Sequence, residues 1–173
     1  MKASLCNLAK AALLSTLALT TLTACDNSGN STAHFAYVDL GRVIISSDIG
    51  SQEKAHLDAV KSELIASAKE AGEVYKTMPD DVKKKAAAAD AAILNRDWTA
   101  EERKARVASV QAVMKKVEEY RKSHGIRVVI NRTAILAADP KADISTDIIK
   151  ALSGTSVDYG KLPEIKVKKQ DNK

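Results

Sequence analysis

Apolar residues recur at helical spacing over two long stretches of this chain, and β-branched residues crowd into short runs on either side of them. From Ser51 to Met78 the apolar positions are Leu57, Val60, Leu64, Ala68, Ala71, Tyr75 and Met78, at steps of three and four, with charge elsewhere. That is a heptad-type stripe on a helix. Pro79 follows, and a proline removes a helical hydrogen bond and clashes with the preceding turn, so the helix stops or kinks there. Asp80 to Asn95, rich in Ala and Lys, is again helix-prone. Thr99-Ala100-Glu101-Glu102 has the form of a capping box, which starts a further helix. This one runs to His124 with the stripe Val107, Val110, Met114, Val117, Tyr120 and His124, and Gly125 closes it. The simplest arrangement is an antiparallel helical-hairpin arm over residues 51–124 with its tip in 79–98. Its seam sets Leu57, Val60 and Leu64 against Val110, Val117 and Tyr120. With roughly 35 residues each way, the arm is about 50 Å long.

The flanking runs read as a small β body. His34 to Asp39 is aromatic and β-branched with partial alternation, a short strand. Leu40 to Ser46 suits a helical turn or two, and Asp48-Ile49-Gly50-Ser51 reads as a break. Beyond Gly125, Ile126–Ile130 is a second strand and Thr133–Ala138 a third, with Asn131-Arg132 turning between them. Asp139-Pro140 marks a loop, and a short helix spans Asp147–Leu152 with Ser145 or Thr146 as its cap. Residues 153–173 begin with Ser and Gly and end in KVKKQDNK, the pattern of a frayed charged tail. The fold class is therefore α+β and mostly helical. Residues 35–50 and 125–152 build the body, with Tyr37, Val38, Val128, Ile130, Ile148 and Leu152 as its core. A two-helix arm and a sheet this small bury little surface alone, so the pattern calls for further copies or a partner.

The first 24 residues have a separate logic. Lys2 and Lys10 are followed by an apolar stretch, Ala11 to Leu22, too short for a spanning helix, which needs roughly 20 apolar residues. It reads as an export signal. Its end, Leu22-Thr23-Ala24-Cys25, resembles a bacterial lipobox, in which the cysteine is lipidated and the leader cut before it. Residues 25–34, small and polar, then form a flexible tether. Asp26 beside the lipidated cysteine resembles a signal for retention in the inner membrane.

Composition narrows the chemistry. Removing the leader from the 173 residues leaves 149, one ordinary domain, with 25 basic and 22 acidic side chains. That balance is far from the basic stripe of a nucleic-acid binder, so none is expected as a partner. Cys6 departs with the leader and Cys25 takes the lipid, so no disulfide supports the fold. No nucleophile–base pattern, phosphate loop or zinc-binding helix motif occurs, and neither an enzyme nor a cofactor is expected. His56 and His124 stand near the base of the arm with Glu53 in the same turn as His56, but no further ligand is evident, and no metal is expected. Lys83-Lys84-Lys85 and Lys166–Lys169 are basic runs of the kind that solvated faces carry. Trp98, directly before the capping box, is the candidate surface contact near the arm tip.

Three segments together resemble the Skp/OmpH family of periplasmic chaperones. They are Ala36-Tyr37-Val38-Asp39-Leu40-Gly41-Arg42-Val43-Ile44, the return segment Gly125 to Leu136, and the closing pattern Asp143 to Leu152. The likeness covers about residues 35–152 and rests on the order and spacing of strand and helix patterns. It implies a homotrimer whose β bodies join while three arms enclose unfolded outer-membrane proteins without ATP. With Cys25 lipidated, it further implies a holdase anchored to the periplasmic face of a membrane, the inner one favoured. The chain departs from the family pattern in its anchor and its shorter arm. The alternative reading is a coiled-coil envelope lipoprotein acting as a scaffold or adaptor for one folded partner.

Overall fold

The computed structural model describes residues 35–165. Leu22, Thr23, Ala24, Cys25 and Asp26, the tether before Phe35 and the run Lys166–Lys169 lie outside the described residues. Over the described part the protein is mostly helical, with one two-stranded sheet.

Strand β1 is Phe35–Val38 and strand β2 is Val128–Asn131. They run parallel, Phe35 opposite Val128 and Tyr37 opposite Ile130. Parallel neighbours need a crossover of a dozen residues or more, and here every long helix lies within it. Asp39 ends β1 and caps the first helix: its Oδ1 accepts from the Arg42 amide at 2.9 Å, and α1 spans Leu40–Ile45. The expected break at 48–51 falls earlier, at Ser46 and Ser47, and α2 begins at Asp48.

Helix α2 covers Asp48–Tyr75, three residues turn the chain, and Pro79 precedes α3, Asp80–Ser123. Asp80 and Asp81 in the first turn of α3 suit its positive end. The tip therefore lies at 76–79, at the start of the expected 79–98 span, and residues 80–98 are helix. Helix α3 runs unbroken for 44 residues, so Thr99 is no cap. Its Oγ1 donates to the Asn95 carbonyl one turn back at 3.0 Å, the usual way a mid-helix threonine satisfies its hydroxyl. A break at 99 would orphan several backbone groups on each side for one capping bond worth about 1 kcal/mol, so continuity wins. At 1.5 Å per residue α2 is about 42 Å long and α3 about 66 Å. The helices lie antiparallel, tied by Glu53 to Arg106 near one end and Tyr75 to Asp90 near the other. Beyond Ser109 the longer helix continues across the body, where Val113 is fully buried among Val38, Val43, Ile49, Ile148 and Leu152. The stretch 110–123 is thus a body element and not arm. Gly125 ends α3 at φ 64°. The Ile126 amide reaches back to the Arg121 carbonyl at 3.0 Å and the Gly125 amide to Lys122 at 3.4 Å, a Schellman closure that needs a left-handed residue there.

Thr133–Ala138 is not a strand. Arg132–Ala134 form a 3₁₀ turn, and Leu136 is fully exposed. The open edge of β1 is met instead by Asp143 and Ile144, whose amide donates to the Tyr37 carbonyl at 3.0 Å. This path carries the chain across the sheet into α4, Ser145–Ala151, and buries Ile144, Ile148 and Leu152. Each buried aliphatic contributes about 1.5–3 kcal/mol, more than a third strand of AILAA could recover. Neither Ser145 nor Thr146 caps α4. Asp143 Oδ1 accepts from the Ser145 amide at 2.8 Å and from its hydroxyl at 2.5 Å. The same buried hydroxyl accepts from the Asp39 amide at 2.8 Å, tying α4 to the end of β1. Burial works against the charge on Asp143, but the Ser145 bonds, with Arg42 and Arg132 nearby, hold its carboxyl below the ordinary value.

Residues 153–165 are not frayed over their described length. They form an extended strap along the two long helices. Thr155, Val157 and Tyr159 turn inward while Ser156, Asp158 and Gly160 face out, the two-residue alternation of an extended chain.

Candidate functional site

The face that α2 presents to α3 is set by Ile49, Glu53, Val60, Leu64 and Ala71, a stripe with alternating steps of four and seven. Helix α3 answers with Ala105, Ser109 and Val113. Of the seam residues expected from sequence, Val60 and Leu64 are buried and Leu57 is half-buried. Val110, Val117 and Tyr120 pack on the body core. Val107 and Met114 are 50% and 58% exposed. The buried face of α3 thus runs through Ala105, Ser109 and Val113 and leaves Val107 and Met114 outside it.

Among the expected body residues, Tyr37, Val38, Ile148 and Leu152 are buried, Ile130 is half-buried, and Val128 is 49% exposed on β2. Exposed Ile45 and Leu136 lie elsewhere on the same body. The Tyr37 ring lies 5.8 Å beneath the Arg132 guanidinium. An apolar hollow runs between β2 and α3, lined by Val38, Leu40, Met114, Val117 and Val129.

Polar groups gather where the strap crosses the helices. Glu53 is buried, with one oxygen 2.9 Å from the Arg106 guanidinium. His56 Nε2 is 3.7 Å from Glu101, and its ring stacks on Tyr159 with centroids 5.2 Å apart. The Tyr159 hydroxyl donates to the Ile49 carbonyl at 3.2 Å and lies 3.0 Å from Ser109 Oγ. Burial pushes the Tyr159 phenol up from its ordinary value and the Glu53 charge adds to this, against Ser109 and Arg106. Replacing Tyr159 by Phe leaves the buried Ser109 hydroxyl without that partner. It should cost about 1–2 kcal/mol, read as a lower urea midpoint at unchanged m-value.

His56 and His124 do not share a site. His124 ends α3, stacks on Tyr120 at 3.8 Å, and its Nδ1 is 2.9 Å from the Tyr120 carbonyl. Trp98 is half-buried and lies well down the hairpin, not at its tip, in a hollow shared with Ile45, Leu57, Lys61 and Arg106. The tip end carries an apolar cavity of about 400 Å³ lined by Ala71, Val74, Met78, Ile93 and Leu94, with Ile165 of the strap reaching it. Tyr75 closes its rim by donating to Asp90, which pushes the phenol up to about 12. Near the body end of α3, Arg121 and Lys122 hold the Glu118 carboxyl down to about 2 against desolvation. The hairpin surface is thus apolar in its hollows and charged along its rims.

No protein-family model matches the chain, and no curated protein matches it. Among solved structures, a chain from Caulobacter crescentus CB15, described as an OmpH-like candidate outer membrane chaperone, matches with 20% identity and a TM-score of 0.41. The match covers 84% of this chain and 96% of that one.

Sequence reasoning missed Gln52, Glu53, Arg106, Ser109 and Tyr159 as one group. Glu53 carried the signal: it falls in the a/d register of α2, four residues after Ile49 and seven before Val60, where a charge needs a partner. Among the described residues no helix is long and apolar enough to cross a membrane.

Proposed function

We propose that this chain is an ATP-independent holdase chaperone of the periplasm that binds unfolded outer-membrane proteins along its helical hairpins. The observation that carries the reading is the surface of α2 and α3. Apolar hollows at Trp98 and at the Ala71–Leu94 end alternate with charged rims, and Ile65, Val107 and Met114 stand exposed beside lysines and arginines. Such a surface offers many weak contacts and no fixed geometry, which suits a partner that has no fold to recognise. The resemblance of residues 36–44, 125–136 and 143–152 to the Skp/OmpH family supports the same reading. Exposed Val128, Ile45 and Leu136 on a two-stranded body support assembly, and a homotrimer would cover the open edge of β2. Lipid on Cys25 would hold the assembly at a membrane through the 25–34 tether, and Asp26 favours the inner one.

Stoichiometric protein should suppress aggregation of several unrelated unfolded outer-membrane proteins diluted from urea, as followed by light scattering. Binding of a single folded protein without suppression would favour a scaffold and overturn the holdase reading. Cys25→Ser should move the protein from the membrane to the soluble fraction, or leave it unprocessed.

A further inference from the structure

The strap sits on the hairpin as a ligand would. The Gln52 side chain donates to the Thr155 carbonyl at 2.7 Å and accepts from the Val157 amide at 3.0 Å. One amide group thereby reads both polar groups of an extended backbone and takes no account of side chains. Two residues further on, the ring of Tyr159 fills a socket made by Ile49, His56 and Ser109. Six residues beyond, Ile165 enters the apolar cavity at the tip end. None of these contacts depends on the strap belonging to the same chain. The socket also holds more polar capacity than the strap uses. Glu53 Oε2 and His56 Nε2 are buried without a hydrogen-bond partner among the described residues. The Gly154 amide also donates to Asp48 of α2 at 2.9 Å, but Ser156, Asp158 and residues 160–162 are exposed and the strap has no helix or strand bonding of its own, so it can open without unfolding the helices beneath it.

We propose that the groove between α2 and α3 is a binding site for extended polypeptide segments carrying a tyrosine followed by a branched aliphatic residue, with residues 154–165 as its built-in competitor. An incoming segment displaces the strap, takes the Gln52 clamp and the tyrosine socket, and meets the unused groups of Glu53 and His56. The groove stands on the geometry alone; that its outside ligand is an unfolded protein rests on the holdase reading. Its covalent link to α4 keeps the strap at a local concentration on the order of millimolar, so weak single segments are rejected and long chains, which offer many segments, are admitted.

The probe is a fluorescein-labelled peptide with the sequence of residues 154–165, added to the full chain and followed by anisotropy. Tyr159→Ala in the full chain should loosen the strap and tighten peptide binding about tenfold; adding Gln52→Ala should remove that gain. Equal peptide affinity for wild type and Tyr159→Ala would overturn the proposal. Hydrogen exchange on the unaltered chain provides a readout free of folding defects. Millimolar peptide should speed exchange of the Gly154 and Val157 amides about tenfold and leave α2 and α3 unchanged, whereas the same peptide with its tyrosine replaced by alanine should not. Unchanged exchange at saturating peptide would likewise overturn it. Unfolded outer-membrane proteins separate the two readings. If they are held in solution with the strap undisturbed, the competitor proposal fails and the holdase stands; if free peptide displaces the strap but no unfolded protein is held, the groove stands and the holdase fails.

Discussion

Ile148→Ala should destabilise the protein by about 2–5 kcal/mol, the cost of deleting a large aliphatic from a closed core. Ile148 is completely buried on α4, packed with Val38, Val43, Ile49, Val113 and Leu152. Helix α4 has only seven residues, far below the length at which an isolated helix holds in water, so packing is what keeps it formed. Collapse around the missing atoms is restricted, because its neighbours come from β1, α1, α2 and α3 and each is fixed by its own element. A domain of this size has about 5–15 kcal/mol in all, so the loss is a large share of the total. Ile148→Val, which keeps the branched shape, should cost only about 0.5–1.5 kcal/mol. Urea titration followed by far-ultraviolet circular dichroism gives both values. A cost below about 1 kcal/mol for the alanine variant would mean that the site collapses freely and that α4 is not a keystone of the body.

The readable parts of this fold are those fixed by local periodicity. Val60, Leu64 and Ala71 of the α2 stripe, the stop before Pro79, the closure at Gly125 and the strand before Asp39 were legible because a few neighbouring residues decide them, whereas Ala68 of that stripe is exposed. What the sequence concealed depends on partners far along the chain. Thr99-Ala100-Glu101-Glu102 has the composition of a helix start, yet Thr99 satisfies its hydroxyl on Asn95 inside a continuous helix. The Ala134–Ala138 run has strand-like apolar character. It loses the sheet edge to Asp143 and Ile144, whose advantage is the core burial that α4 brings with them. The strap looks like a polar tail because only alternate residues between Thr155 and Tyr159 are anchored. Its socket draws on Ile49, Gln52, His56 and Ser109, between 50 and 110 positions away in sequence. Helix α3 shows the same limit: Val107 and Met114 match the helical period but are exposed, whereas Ala105 and Ser109 are buried, Ser109 against Tyr159 of the distant strap.

Gly50→Ala and Gly72→Ala should move stability in opposite directions, although both place alanine in the same helix. Glycine within a helix is less favourable than alanine by about 1 kcal/mol, so propensity alone stabilises both variants. At Gly72 no atom outside the local helix backbone lies within 4 Å of the added Cβ, and the expected gain is close to that full amount. At Gly50 the Cβ would stand 2.4 Å from the Ile44 carbonyl oxygen and 3.2 Å from its carbon. These are backbone atoms, so no rotamer change relieves the clash; the end of α1 must part from the first turn of α2. That movement would pull on Ile44 and Ile49, both buried in the core, and on the Gly50 amide bond to Ser47 at 3.1 Å. Overpacking of a core costs about 1–3 kcal/mol, with the upper end expected where backbone must move, so after the roughly 1 kcal/mol of propensity is offset the net loss should be about 1–2 kcal/mol. Because the corner also positions Ile49 and Gln52, Gly50→Ala should loosen the strap and speed exchange at Val157 beyond the change in global stability. Stability equal to or above wild type for Gly50→Ala would show that the α1–α2 corner yields, and that glycine there is not required by close approach.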